Sequence, residues 1–233
     1  MKETLGPEAR SIGALADDLR RRMYVFIRAN GAPVSREEAG EEVGISSKLA
    51  AFHLDKLVEH GLLKAHYARR PGRGGPGAGR SSKLYEPSGA ALAVSIPERA
   101  YDLVGSMLVE ALSSRSPKES AIDAARRVGL ETGRDLGTAG RGRVATSAGR
   151  QARAAEDLLA ALGFEPRPEE DGIVLANCPF HSLAQQNAEL VCGLNEAFIS
   201  GVLQGLRADG WRAKFAPSPG RCCVVLEEAK KAS

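Results

Sequence analysis

Apolar positions recur at helical spacing in successive stretches of the N-terminal third, and the period then shortens. Leu15, Leu19, Met23, Phe26 and Ile27 form one stripe. Ser35-Arg-Glu-Glu38 has capping-box spacing, which predicts a short helix through Ala39 and Val43 that stops at Gly44, where a left-handed turn is cheapest. Ile45 then enters the core, and Ser46 caps a further helix bearing Leu49, Leu54, Leu57 and Val58, ended by Gly61. Two extended pieces follow, around Leu62, Leu63, Ala65 and Tyr67 and around Lys83-Leu84-Tyr85-Glu86, joined by a loop rich in glycine, proline and arginine.

Helical spacing returns beyond Pro87. Pro97 and Glu98 open a segment with Tyr101, Val104, Leu108 and Leu112 on one face. Ser116-Pro-Lys-Glu119 offers another capping box, predicting a helix through Ala121, Ile122, Ala125 and Val128 to about Leu136. Gly137 to Gly149 reads as a flexible loop without the spacing of a phosphate-binding loop. From about Arg150 the order becomes helix, two strands, helix, two strands, the last strand being Arg221-Cys-Cys-Val-Val-Leu226. The class is therefore α+β, in three regions: an N-terminal unit over 1–90, a helical connector over 91–149 and a small C-terminal α+β domain over 150–233. The connector's apolar stripes are expected to meet each other or a second subunit, and the homodimer is the favoured outcome.

Charge gives the N-terminal unit a partner. The chain's formal net charge is only +3, so any basic character is local. It is concentrated between Lys64 and Lys83, where Lys64, Arg69, Arg70, Arg73, Arg80 and Lys83 stand with no carboxylate among them. A hairpin carrying these cations gains by releasing counterions condensed on phosphates. On the helix that Ser46 begins, Ser46, Ser47 and Lys48 occupy the first turn, with Phe52, His53 and Lys56 on or near the outward face. Double-stranded DNA is the expected partner; aromatic residues are 5% of the chain, too few to favour single strands read by stacking. An acidic membrane would attract the same loop, but no apolar run approaches the ~20 residues of a membrane span and no lipidation signal accompanies it. The first residues lack the apolar run of a secretory signal, so a cytoplasmic location is expected.

The C-terminal domain carries all four cysteines: Cys178 in Asn177-Cys-Pro-Phe-His181, Cys192, and the pair Cys222-Cys223. In a cytosolic chain such residues are more often ligands or redox groups than disulfides. They can meet only under two conditions. A single helix from Ser182 to Leu206 would put Cys192 about 15 Å from its start at ~1.5 Å per residue, so the helix must break, and Asn187 is the natural cap for a new start. Adjacent residues on a strand face opposite ways, so Cys222 and Cys223 share a centre only if the strand has ended or bulged. With Cys222 favoured of the two, Cys178, His181, Cys192 and Cys222 suit tetrahedral zinc, and three thiolates with a weaker fourth ligand suit a four-iron cluster. Buried cysteines packed as small hydrophobes, a thiol switch at Cys222 and Cys223, and a zinc enzyme are the alternatives; the enzyme is disfavoured because Glu189 is the only obvious carboxylate nearby in sequence.

Ile45-Ser-Ser-Lys-Leu49 with His53-Leu-Asp-Lys-Leu57, Gly79-Arg-Ser-Ser-Lys-Leu-Tyr85, and Asn177-Cys-Pro-Phe-His181 with Leu190-Val-Cys192 and Cys222 together resemble the ArsR/DeoR-like winged-helix regulators. Within them the chain resembles the SufR group, over most of its length. The resemblance implies a transcription regulator, not an enzyme, responding to metal or iron–sulfur cluster status, with Cys178, Cys192 and Cys222 at the group's three cysteine positions. His181 and the doubled Cys222-Cys223 depart from that pattern.

Overall fold

The structure, a computed structural model, describes residues 7–68, 81–141 and 148–229, in two compact units, Met1–Val94 and Ser95–Ser233. Both are mixed α and β.

In the first unit, α1 (Pro7–Ala14), α2 (Asp18–Asn30), α3 (Arg36–Val43) and α4 (Ser47–Glu59) surround a core that includes Met23, Ile27, Ala39, Leu54, Leu57 and Tyr85. The capping box forms as predicted: Ser35 accepts from the Glu38 amide, and the Glu38 carboxylate accepts from the Ser35 amide. Gly44 ends α3 with φ +78, and a Cβ on Gly40 would stand 2.9 Å from the Ile45 carbonyl, so the turn into α4 closes on bare backbone. Beyond Gly61, β2 (Leu63–Ala68) pairs antiparallel with β3 (Ser82–Pro87), and β3 also pairs with the short β1 (Val34–Ser35), giving the order β1-β3-β2.

The inward face of α4 differs from the expected stripe. Ala50, His53, Leu54 and Leu57 are buried, whereas Leu49 is exposed. At ~100° per residue, Ala50 with Leu54 and Leu57 makes a continuous line, and Leu49 falls beside it.

In the second unit, α5 (Tyr101–Ser113), α6 (Ala121–Gly140), α7 (Ala148–Ala161), α8 (His181–Gln186) and α9 (Ala188–Leu206) pack with a four-stranded antiparallel sheet. Its strands are β4 (Pro166–Glu169), β5 (Gly172–Leu175), β6 (Trp211–Phe215) and β7 (Val224–Glu228), in the order β4-β5-β7-β6. The helices expected as a connector belong to this core: Val104, Met107, Ala124 and Val128 are buried with Leu159, Leu175, Phe198 and Val224. On α5 the buried face is Val104, Met107 and Ala111, which leaves Tyr101, Val109 and Leu112 exposed. The second capping box does not form. Ser120 caps α6 by accepting from the Asp123 amide, while Glu119 is held by Arg127 at 3.0 Å.

Helix α9 is buried along most of its length, and α6 meets it backbone to backbone. A Cβ on Gly133 would collide with the Phe198 carbonyl, one on Gly137 with that of Val202, and ones on Gly201 and Gly205 with those of Leu130 and Arg134. With Gly129, whose Cβ would stand 2.7 Å from the Leu194 carbonyl, five positions without side chains thus set the separation of the two helices. Gly137, expected in a loop, is a buried part of this contact. Among the described residues no helix is long and apolar enough to cross a membrane.

Candidate functional site

Two groups of residues carry chemistry, one in each unit. In the first, the Ser46 side chain accepts from the Leu49 amide and so starts α4. Ser46, Lys48 and Phe52 are exposed and Ser47 is half-buried. No acidic residue lies in the first turn, and among the described residues Lys48 makes no ion pair.

The carboxylates on the same helix lie further along, and both are compensated. Asp55 takes Lys83 Nζ at 2.7 Å and the Tyr85 hydroxyl at 2.9 Å. Glu59 takes Lys56 Nζ at 2.7 Å, and that hydrogen bond holds its carboxyl below the usual range. Lys56 and Lys83 are therefore occupied within the protein. Tyr85, buried on β3, has its phenol pushed up by burial and by the bond to Asp55.

His53 corrects an expectation. It lies on the inward face of α4, 7% exposed, with Nδ1 3.9 Å from the Asp17 carboxylate and without a hydrogen-bond partner. The four-residue step from Leu49 to His53 to Leu57 made this position ambiguous in the sequence, and the core face of the helix claims it. Arg69, Arg70, Arg73 and Arg80 lie outside the described residues.

The second group assembles where β5, the start of α9 and the approach to β7 converge. Cys178 lies between β5 and α8, in a loop fixed by its neighbour. The Asn177 amide donates to the Glu98 carbonyl at 2.9 Å and to that of Gly163, and its oxygen accepts from Arg99, which also donates to the Cys178 carbonyl at 2.8 Å. The helix breaks at Asn187, whose side chain accepts from the Leu190 amide, so Cys192 lies near the beginning of α9 as the shared site demanded. Strand β7 begins only at Val224, and the expectation that Arg221 to Val224 is strand throughout is corrected: Cys222 and Cys223 precede it. Cys222 is anchored by its amide to the Leu175 carbonyl at 2.9 Å. Residues outside a regular strand are freed from alternation, and both thiols reach the cluster.

The thiols interact in a chain. Cys178 is hydrogen-bonded to Cys222, Cys222 to Cys223, and Cys223 to Cys192. The bond to Cys222, together with burial, pushes the Cys178 thiol up. Burial does the same at Cys192, against the hydrogen bond with Cys223. At Cys222 the bond from Cys178 pulls down, but the bond to Cys223 and burial prevail and the thiol is pushed up to about 12. Cys178, Cys192 and Cys222 are thus pushed toward the neutral thiol, which suits a site whose thiolates form only against a cation.

Asn195, one turn beyond Cys192, completes the group. Its Nδ2 donates to Cys222 Sγ at 3.2 Å, and its Oδ1 is buried with no hydrogen-bond partner. The sequence carries a weak signal for it, an amide three residues after a cysteine in the stretch from Leu190 to Ile199, where Glu196 is the other polar side chain. His181 heads α8 with its side chain exposed, and the thiols' hydrogen bonds run among themselves and to Asn195. Among the described residues no group of three or more Cys, His, Asp or Glu side chains is placed to hold a metal ion. The donor chemistry nonetheless fits a soft cation: four sulfurs in a connected set, three of them buried, beside a buried amide oxygen left without a donor.

Comparison with protein-family models, with curated proteins and with solved structures finds no match for this chain.

Proposed function

We propose that the chain is a cytoplasmic DNA-binding transcription regulator of the ArsR/DeoR-like winged-helix type, resembling the SufR group. In this reading α4 enters the major groove of a duplex and the β2–β3 hairpin grips phosphates. The observation that carries it is the division of charge on α4. The exposed first turn presents Ser46, Ser47 and Lys48 without a carboxylate, while Asp55 and Glu59 are neutralised by Lys83 and Lys56. A helix that approaches a polyanion needs this arrangement. Salt-dependent retention of genomic duplex fragments by the full chain tests it; affinity for no fragment at low salt would defeat it.

In the second unit, Cys178, Cys192 and Cys222, with Cys223 beside them, would hold zinc or an iron–sulfur cluster. The bound group would supply crosslinking of β5, α9 and the approach to β7 through soft thiolate bonds. Its effect on DNA binding equals its difference in affinity between the DNA-competent and incompetent arrangements. Metal and sulfide analysis of anaerobically purified protein, with its visible spectrum, separates zinc from a cluster.

Two copies of the chain are proposed to act together, because Val109 and Leu112 on α5 are apolar and exposed at 65% and 66%. Solution mass before and after Leu112→Glu tests that pairing. A metal-free thiol switch is the second reading, favoured by the Cys178–Cys222 and Cys192–Cys223 contacts. Loss of two protons and two electrons to a hydroperoxide would join either pair as a disulfide, and protein free of metal and sulfide when isolated without oxygen would favour it.

A further inference from the structure

The groove-facing half of α4 is not wholly polar. Leu49 is 41% exposed, beside the inward face that is fully buried at Ala50, Leu54 and Leu57, and Phe52 is 56% exposed on the far side of the helix. Neither side chain belongs to the core. Phe52 packs against the buried His53 ring in a T-shaped pair, centroid to centroid at 5.4 Å and 77° between planes. Two apolar side chains therefore stand among Ser46, Ser47 and Lys48 on a surface otherwise suited to phosphates and base edges.

We propose that Phe52, with Leu49 beside it, reads the C5-methyl group of thymine in the major groove and so makes this helix select thymine-containing steps. The inference rests on the reading of α4 as a groove-docking helix and names what that helix recognises. In the major groove thymine differs from the other bases by an apolar methyl group at its edge, and side chains such as phenylalanine contact it without hydrogen bonds. The charge of the surroundings selects this occupant over an apolar protein surface. Lys48 lies in the same turn as Leu49 with no ion pair among the described residues, and an unpaired cation in a dry protein interface is costly, whereas beside a phosphate it is satisfied.

The test uses the full-length chain and a duplex selected by it from a random 30-base-pair library, resynthesised with deoxyuridine in place of thymidine at single positions. This substitution removes the methyl group and leaves pairing and backbone charge intact. At one or two positions, affinity should fall about fourfold per methyl lost. Phe52→Ala should bind the two duplexes equally while keeping the salt slope of the wild type; the exposed ring can be truncated without opening the core. Equal binding of thymine and uracil duplexes by the wild type would overturn the proposal while leaving DNA binding in place, as would full discrimination retained by Phe52→Ala together with Leu49→Ala. A concentration-dependent rise in mass abolished by Phe52→Ala would assign the surface to a second copy and overturn it too. Recovery of no duplex from the library would reject the DNA-binding reading itself.

Discussion

The Tyr85 hydroxyl donates to Asp55 at 2.9 Å, a bond that ties the middle of β3 to the exposed side of α4. Lys83, two residues earlier on the same strand, meets the same carboxylate oxygen at 2.7 Å. Hairpin and helix are thereby held in one orientation by a single acceptor. Tyr85→Phe should cost about 1 kcal/mol of stability, the net worth of one hydrogen bond whose acceptor stays solvated, read as a shift in urea midpoint.

The same phenol gives an alkaline signature. Burial and the Asp55 carboxylate raise its proton affinity in the folded state, so the folded chain holds a proton that the unfolded chain releases from its usual value of 10.0 upward. Stability is complete below that value and falls as pH rises beyond it, because the native state then binds more protons than the unfolded state. Comparing wild type with Tyr85→Phe from pH 9 upward isolates this slope from that of the lysines. An identical pH dependence in the two proteins would contradict it.

Glycine-to-alanine substitutions should have opposite signs at two helical positions. Gly133→Ala forces a methyl group into the Phe198 carbonyl, so the helix-propensity gain of up to ~1 kcal/mol is outweighed and a loss of about 3 kcal/mol is expected. Gly105 on α5 has nothing within 4 Å of where a Cβ would stand, and Gly105→Ala should stabilise by about 0.5 to 1 kcal/mol. Thermal unfolding of both variants decides the matter.

At the thiols, Cys178→Ser, Cys192→Ser and Cys222→Ser should each lower the bound metal or cluster content of anaerobically purified protein, whereas His181→Ala should leave it unchanged, since that side chain is exposed at the head of α8. In metal-free protein, Cys223, the one cysteine that is not buried, should react first with a thiol reagent. Mass spectrometry after brief labelling identifies the site.

DNA binding should separate by residue type. Lys48→Ala is expected to lower the steepness of the salt dependence by about one phosphate. Neutralising Arg73 and Arg80 together should lower it by about two. A slope unaffected by all three would remove the electrostatic basis of the proposed interface.

Local signals were the legible ones. The Ser35 capping box, the Gly44 stop and the Asn187 break each depend on a few adjacent residues, and each formed where those residues stand. What escaped depends on partners distant in sequence. The inward turn of His53 is set by α2 and Asp17, and the core face of α5 by α6 and the sheet. Ser116-Pro-Lys-Glu119 had the right spacing for a cap, yet Glu119 was claimed by Arg127 and Ser120 began the helix instead. The two backbone conditions for the cysteines to meet, a helix break at Asn187 and a last strand that leaves out Cys222 and Cys223, are legible in the sequence, and both features are present. The amide at Asn195 stands out in the sequence, but its role requires knowing which side of α9 faces Cys222.

The bare-backbone seam between α6 and α9 fixes how a disturbance at the sulfurs can spread. Interdigitated side chains absorb small displacements by changing rotamer, but carbonyls seated on glycines have no such slack. A shift imposed at Cys192 is therefore carried down α9 as by a stiff rod, with α6 obliged to travel alongside.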